Sequence, residues 1–248
     1  MDFLDLALLL FAIALIAGLI DAIAGGGGLI TVPALLWAGL PPIEALATNK
    51  GQGVFGSLSA SLHFIRRGYL DLRSAALAVA CTFIGAAAGA WLVQSLPTDL
   101  LSRLIPVLLI AFALYFVFSP RVGDLDSQQR IPQAAFALLI GTAIGFYDGF
   151  FGPGTGSFFA IAFVALLGYN LRRATANAKL LNFTSNLAAL LFFTLGGQVV
   201  WTLALVMGTG QLIGGWLGAH LAIKHGAALI RPLLAIGAIA TSIKLLLD

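Results

Sequence analysis

Charge is what this chain has least of. Only 9% of its 248 residues are Asp, Glu, Lys or Arg, against roughly 25% in average soluble usage. A domain folded in water needs a charged surface, so this scarcity excludes a soluble globular fold. Cysteine is nearly missing as well. Cys81 stands alone in an apolar run, which rules out a disulfide framework or a cysteine metal cluster. No Gly-Lys-Ser/Thr follows the glycine-rich stretches, and the dinucleotide fingerprint lacks its strand and its downstream acid. No nucleophile–base set or metal-ligand spacing is visible either, so the expectation is a protein that is not an enzyme and holds no metal or cofactor. A net charge of +3 suggests nucleic acid in a soluble protein. Here the basic residues lie between apolar runs, where the positive-inside rule accounts for them, and no nucleic-acid partner is expected.

What the chain does have is hydrophobic residues, 60% of the total, in long runs without alternation. Such runs predict membrane-spanning helices rather than a barrel, with the lipid bilayer as the surrounding solvent. Ten segments can be marked, at about 3–22, 29–40, 44–65, 72–94, 100–118, 131–148, 157–168, 173–195, 199–223 and 227–247. The first is expected to be retained. Ala22-Ile23-Ala24 mimics a cleavage site, but the leading segment is acidic (Asp2, Asp5) rather than basic. The second and seventh are short. At a rise of about 1.5 Å per residue, twelve residues cover only ~18 Å of a ~30 Å hydrocarbon core. They are expected to be half-helices of re-entrant hairpins or strongly tilted pieces.

The chain reads as two copies, residues 1–118 and 131–248, joined by the polar connector 119–130. Asp21-Ala-Ile-Ala-Gly25 matches Asp148-Gly-Phe-Phe-Gly152, and Gly28 matches Gly156 after a one-residue gap. Ala45-Leu-Ala-Thr-Asn-Lys50 matches Ala174-Thr-Ala-Asn-Ala-Lys179, Gly68 falls on Gly197, and Gly85-xxx-Gly89 falls on Gly214-xxx-Gly218. The last pair is a small-residue helix-packing pattern. Equivalent loops differ in charge. Residues 40–44 carry −1 against +2 for 169–173; 66–73 carry +2 against zero for 195–202; 95–103 carry zero against +2 for 224–231. If loops with excess Lys and Arg face the cytoplasm, equivalent loops lie on opposite sides. The predicted fold is therefore an all-α polytopic membrane protein, an inverted repeat of two five-segment halves, with helices broken or re-entrant at the glycine-rich breaks.

Those breaks carry the functional expectation. Non-helical backbone at membrane depth survives only where protein or a water-filled cavity satisfies its amides, and discontinuous helices form the substrate sites of many transporters. Gly25, Gly26, Gly27 and Gly28 precede one short segment; Gly152-Pro153-Gly154-Thr155-Gly156 precedes its twin. Free amides at a helix start, at the positive end of its dipole, suit an anion. The alternative is that these glycines only permit close packing. Lys50 and Lys179 sit beside the two breaks, where a lysine faces protein or water or else snorkels to the headgroups. On a helix Lys50 shares a face with Gly53 and Ser57, and Lys179 with Asn182 and Asn186. Thr48, Asn49 and Asn177 complete the candidate substrate-binding set with Gly154, Thr155, Gly156 and Asn182. Asp21 and Asp148, each four residues before Gly25 or Gly152, are candidates for proton coupling, for pairing with a lysine, or for capping the open amides.

On these residues the sequence resembles the sulfite exporter TauE/SafE family. The resemblance rests on Gly18-Leu-Ile-Asp-Ala-Ile-Ala-Gly-Gly-Gly-Gly-Leu-Ile-Thr-Val-Pro33, Ala47-Thr-Asn-Lys50, Gly152-Pro-Gly-Thr-Gly156 and Ala174-Thr-Ala-Asn-Ala-Lys179. It implies a multi-pass secondary transporter of the bacterial inner membrane, an exporter of a small inorganic or organic anion such as sulfite or sulfoacetate, working by alternating access. A channel, a carrier of a carboxylate or other oxyanion, and a non-transporting assembly factor are the alternatives. The sequence leaves room for a homodimer.

Overall fold

The structure, a computed structural model, describes residues 2–118 and 128–225. The tenth predicted segment and most of the polar connector lie outside them. Nine helices fill the described residues: α1 Phe3–Ala24, α2 Gly28–Trp37, α3 Pro42–Arg66, α4 Leu72–Gln94 and α5 Thr98–Phe118, then α6 Gln133–Phe150 (with a π-helical stretch over Phe136–Gly141), α7 Thr155–Leu167, α8 Leu171–Leu195 and α9 Trp201–His225. The fold is an all-α polytopic membrane protein. Five of its helices (α1, α4, α6, α8 and α9) are long and apolar enough to cross a bilayer. The two short segments appear as α2, of 10 residues, and α7, of 13; at about 1.5 Å per residue neither reaches across the core.

Local chemistry sets the helix ends. Gly25 closes α1 in the left-handed region at φ +82°, and its N–H donates to the Asp21 carbonyl at 2.7 Å. Pro42 opens α3 at a position where the missing N–H costs nothing. Asp71 and Asn170 cap α4 and α8, their side chains accepting from Arg73 N and Arg173 N at 3.0 Å each.

Helix association within a membrane relies on close packing rather than hydrophobic transfer, which favours small residues at the contacts. α1 packs along α9 and α4 along α6, while α3 and α8 cross each other at the centre and touch α9 and α4 respectively. A Cβ on Gly85 or Gly89 would collide with the Thr142 and Phe146 carbonyls of α6; one on Gly214 or Gly218 would meet those of Leu15 and Leu19 on α1. Large apolar side chains cover the outside instead. Ile84, Leu139 and Leu195 are exposed there, with Trp37, Trp91 and Trp201 near helix ends, where an aromatic ring spans apolar and wet layers.

The unusual helices are α3 and α8. Each has 25 residues and a buried polar stripe: Thr48, Asn49, Lys50, Gln52 and Ser57 on α3; Asn177, Lys179, Asn182, Ser185 and Asn186 on α8. Helices that hide polar residues while their neighbours show leucine to lipid enclose a polar centre.

A central polar site crossed by two ion pairs

Building the site from its backbone, the first fact is that the two glycine breaks touch. A Cβ on Gly25 would run into the backbone of Gly156 and Ser157, and one on Gly28 would sit 3.0 Å from Pro153 Cα. The Ser157 hydroxyl donates to the Ala24 carbonyl across the same contact. Glycine is needed at Gly25 twice over, for its positive φ and for this approach. Gly152 and Gly154 are left-handed as well, at φ +102° and +89°. Because the breaks pack on each other, the starts of α2 and α7 converge on one place. The amides of Gly28 and Gly156 make no hydrogen bond among the described residues.

Two lysines reach this place, and neither snorkels. Lys50 Nζ lies 2.7 Å from Asp148 Oδ1, with side-chain exposures of 1% and 2%. Lys179 Nζ lies 2.8 Å from Asp21 Oδ2, at 1% and 19%. Each lysine is thus paired with the acid of the other break. A bare ammonium at this depth would cost several kcal/mol, about the penalty that partnering recovers. Of the readings open for these residues, pairing of each acid with a lysine is the one the structure shows, and the four ions sum to zero.

The acids do more than pair. Asp21 Oδ1 accepts from Gly27 N at 3.1 Å, a cap on the break beside it. Asp148 Oδ1 also accepts from the Thr155 hydroxyl at 2.8 Å, while its Oδ2 is buried with no partner among the described residues.

Around these groups lies a small polar cavity of about 30 Å³, room for roughly two water molecules. Of the residues singled out from sequence, Gly25, Gly27, Gly28, Asn49, Lys50, Gly154, Thr155, Gly156, Asn182, Asp21 and Asp148 line it. Lys179 reaches Asp21 from behind Gly156. Gly26 is buried and accepts from Leu29 N. Thr48 and Asn177 point elsewhere. The Thr48 hydroxyl accepts from Val200 N at 3.1 Å, and Asn177 donates to the Arg173 carbonyl at 2.9 Å.

Sequence reasoning missed Thr31, Gln52 and Gln211. Thr31 and Gln52 donate to Asn49 Oδ1 at 2.6 and 2.8 Å, fixing that amide. Gln211 is a buried amide in α9 and lines the cavity. A lone amide in an apolar run was the available signal.

Broken helices whose starts converge on a polar cavity, inside a bundle of apolar helices, define a membrane transporter rather than an enzyme. The family model of the sulfite exporter TauE/SafE family matches residues 10–245, and the chain belongs to that family. It is 51% identical over 239 residues to the probable membrane transporter protein YfcA of Escherichia coli (strain K12), covering 96% of this chain and 89% of that one. A probable membrane transporter protein of Haemophilus influenzae is 47% identical over 245 residues, 99% and 96% of the two chains. One from Sinorhizobium sp, ORF9, is 49% identical over 239 residues, 96% and 92%. No solved structure matches the chain significantly. With these relatives, the protein is a multi-pass transporter of the bacterial inner membrane.

Proposed function

We propose that the protein is a secondary carrier of a small anion, with a sulfur oxyanion or organosulfonate such as sulfite or sulfoacetate as the favoured cargo and export as the favoured direction. The carrying observation is the convergence of two unbonded helix-start amides, Gly28 and Gly156, on one buried polar cavity. Such amides stabilise an anion through their dipoles and their unfilled hydrogen bonds. The sulfur preference comes from the family description, "Sulfite exporter TauE/SafE".

The transport cycle is alternating access between two inverted repeats, residues 1–118 and 131–248. The repeat is supported by the matched breaks, by the reciprocal lysine–acid pairing, and by a packing scheme in which α1 on α9 corresponds to α6 on α4. A cavity of about 30 Å³ is too small for a sulfonate, so this is a contracted state that widens to load. Proton coupling is assigned to the acids, with the free Oδ2 of Asp148 the better placed.

A flux screen on purified, reconstituted protein tests the cargo, using sulfite, sulfate, thiosulfate, sulfoacetate and a small carboxylate. Saturable movement of a sulfur anion is expected; saturation by the carboxylate alone would remove the sulfur assignment. Inversion is tested with single cysteines at Gly68 and Gly197 in a Cys81→Ser background. They should react with an impermeant reagent from opposite sides of the membrane, and labelling of both from one side ends the inverted-repeat scheme.

A further inference from the structure

The central cavity holds two cations and two anions in matched pairs, so net charge there gives no preference for an anion over a neutral or cationic solute. Only the partial charges of the two helix starts favour an anion there, and a full positive charge elsewhere would add to them. Outside the centre, a cavity of about 350 Å³ opens between the turn before α4 and the turn before α8, bordered by Asp71, Ser74, Tyr169, Arg173 and Asn177. A second cavity of about 340 Å³ shares Ser74, Tyr169 and Asn177 with it and extends along α8 to Leu181.

We propose that this vestibule is an anion-recruiting site, with Arg173 as its cation, that concentrates small sulfonates and oxyanions at this face of the protein. Arg173 is exposed, and its guanidinium carbon sits 3.8 Å above the Tyr169 ring centroid. Tyr169 is itself buried and stacks on Phe163, with centroids 5.5 Å apart and planes 12° from parallel. The arginine therefore rests on a fixed platform, ordered by a cation–π contact that leaves the edge N–H groups free for a ligand. It makes no ion pair among the described residues. Asp71 borders the same space, but its Oδ1 already accepts from Arg73 N. The two turns together hold Arg66, Arg67, Arg73, Arg172 and Arg173 against Asp71, five positive charges to one negative. A concave space beside such an excess concentrates anions. The positive-inside rule assigns this arginine-rich face to the cytoplasm, the loading side for an exporter. The site rests on the anion-carrier reading above, and its test is independent of transport.

In a Cys81→Ser background, Ser74→Cys places an exposed thiol at the junction of both cavities. In the solubilised full-length protein it is reacted with methanethiosulfonate ethylsulfonate, an anion, or with the ethyltrimethylammonium analogue, a cation. Each rate is normalised to that reagent's rate with a free small thiol. The anionic reagent is expected to react about tenfold faster than the cationic one. Arg173→Gln should bring the ratio close to unity, Asp71→Asn should raise it, and excess sulfoacetate should slow labelling only when Arg173 is present. In proteoliposomes the same Arg173→Gln change should raise the half-saturating anion concentration. A ratio that does not respond to Arg173→Gln overturns the site, even if anions are carried. If the ratio responds as expected but no anion is transported, the vestibule stands and the carrier reading falls.

Discussion

Lys50–Asp148 and Lys179–Asp21 occupy matching places in the two halves of the sequence, yet they are not alike. The first pair is sealed, with both side chains at 2% exposure or less, and keeps one carboxylate oxygen without a partner among the described residues. In the second, Asp21 is 19% exposed and also caps Gly27 N. The same contrast recurs nearer the surface. Thr48 is tied to Val200 N at the start of α9, whereas Asn177, which matches it in the sequence alignment of the two lysine motifs, borders two cavities of about 340 and 350 Å³. The two matched sequence motifs lie in two environments, one closed and one open. A carrier that exchanges the roles of its halves would hold such an asymmetry in any single state.

The largest effect expected from this contrast is on stability. Lys50→Gln leaves the Asp148 carboxylate buried without a counter-charge, a loss of about 3–5 kcal/mol. Lys179→Gln should cost less, about 1–3 kcal/mol, because Asp21 keeps its Gly27 amide and some exposure. Melting temperatures in detergent measure both, and equal losses would erase the distinction. The double variant Lys50→Gln/Asp148→Asn should recover most of the stability, since no uncompensated charge remains.

A second difference concerns proton coupling. Asp148→Asn is expected to abolish the dependence of transport on a pH gradient while the protein still binds anion. Asp21→Asn should be milder, because its amide oxygen still accepts from Gly27 N. Flux with and without an imposed pH gradient separates the two; full gradient dependence in both variants retires the acids as proton carriers.

The smallest effect belongs to the outer contact. Thr48→Val removes the acceptor for Val200 N at the cost of about 1 kcal/mol. It should favour the state in which that contact is broken, so a single cysteine at Val200 should label faster. Unchanged labelling would mean that Thr48 does not hold this end shut.

Much of this was legible in the residues. The short segments, the two breaks and the polar stripes on α3 and α8 follow from glycine runs and from amides placed in apolar sequence. The ends of the short helices moved by only a few residues. What could not be read was the crossing. Lys50 could equally have paired with Asp21 of its own half, and only the contact between the breaks brings Asp148 to it instead. That contact is tertiary, and no spacing within either half encodes it. Thr48 and Asn177 lie off the central cavity for a related reason. They sit two residues before their lysines, about 200° around the helix, and so face away from the centre.

The most direct test of the central claim is counterflow in proteoliposomes. Vesicles loaded with unlabelled sulfoacetate or sulfite and diluted into a trace of the labelled anion should accumulate label transiently above equilibrium. That overshoot should vanish in a Gly156→Val variant, whose side chain would fill the space where Gly25 and the Lys179 ammonium meet. Flux that rises in proportion to concentration with no overshoot, or an overshoot that Gly156→Val leaves untouched, would contradict a carrier working through this cavity.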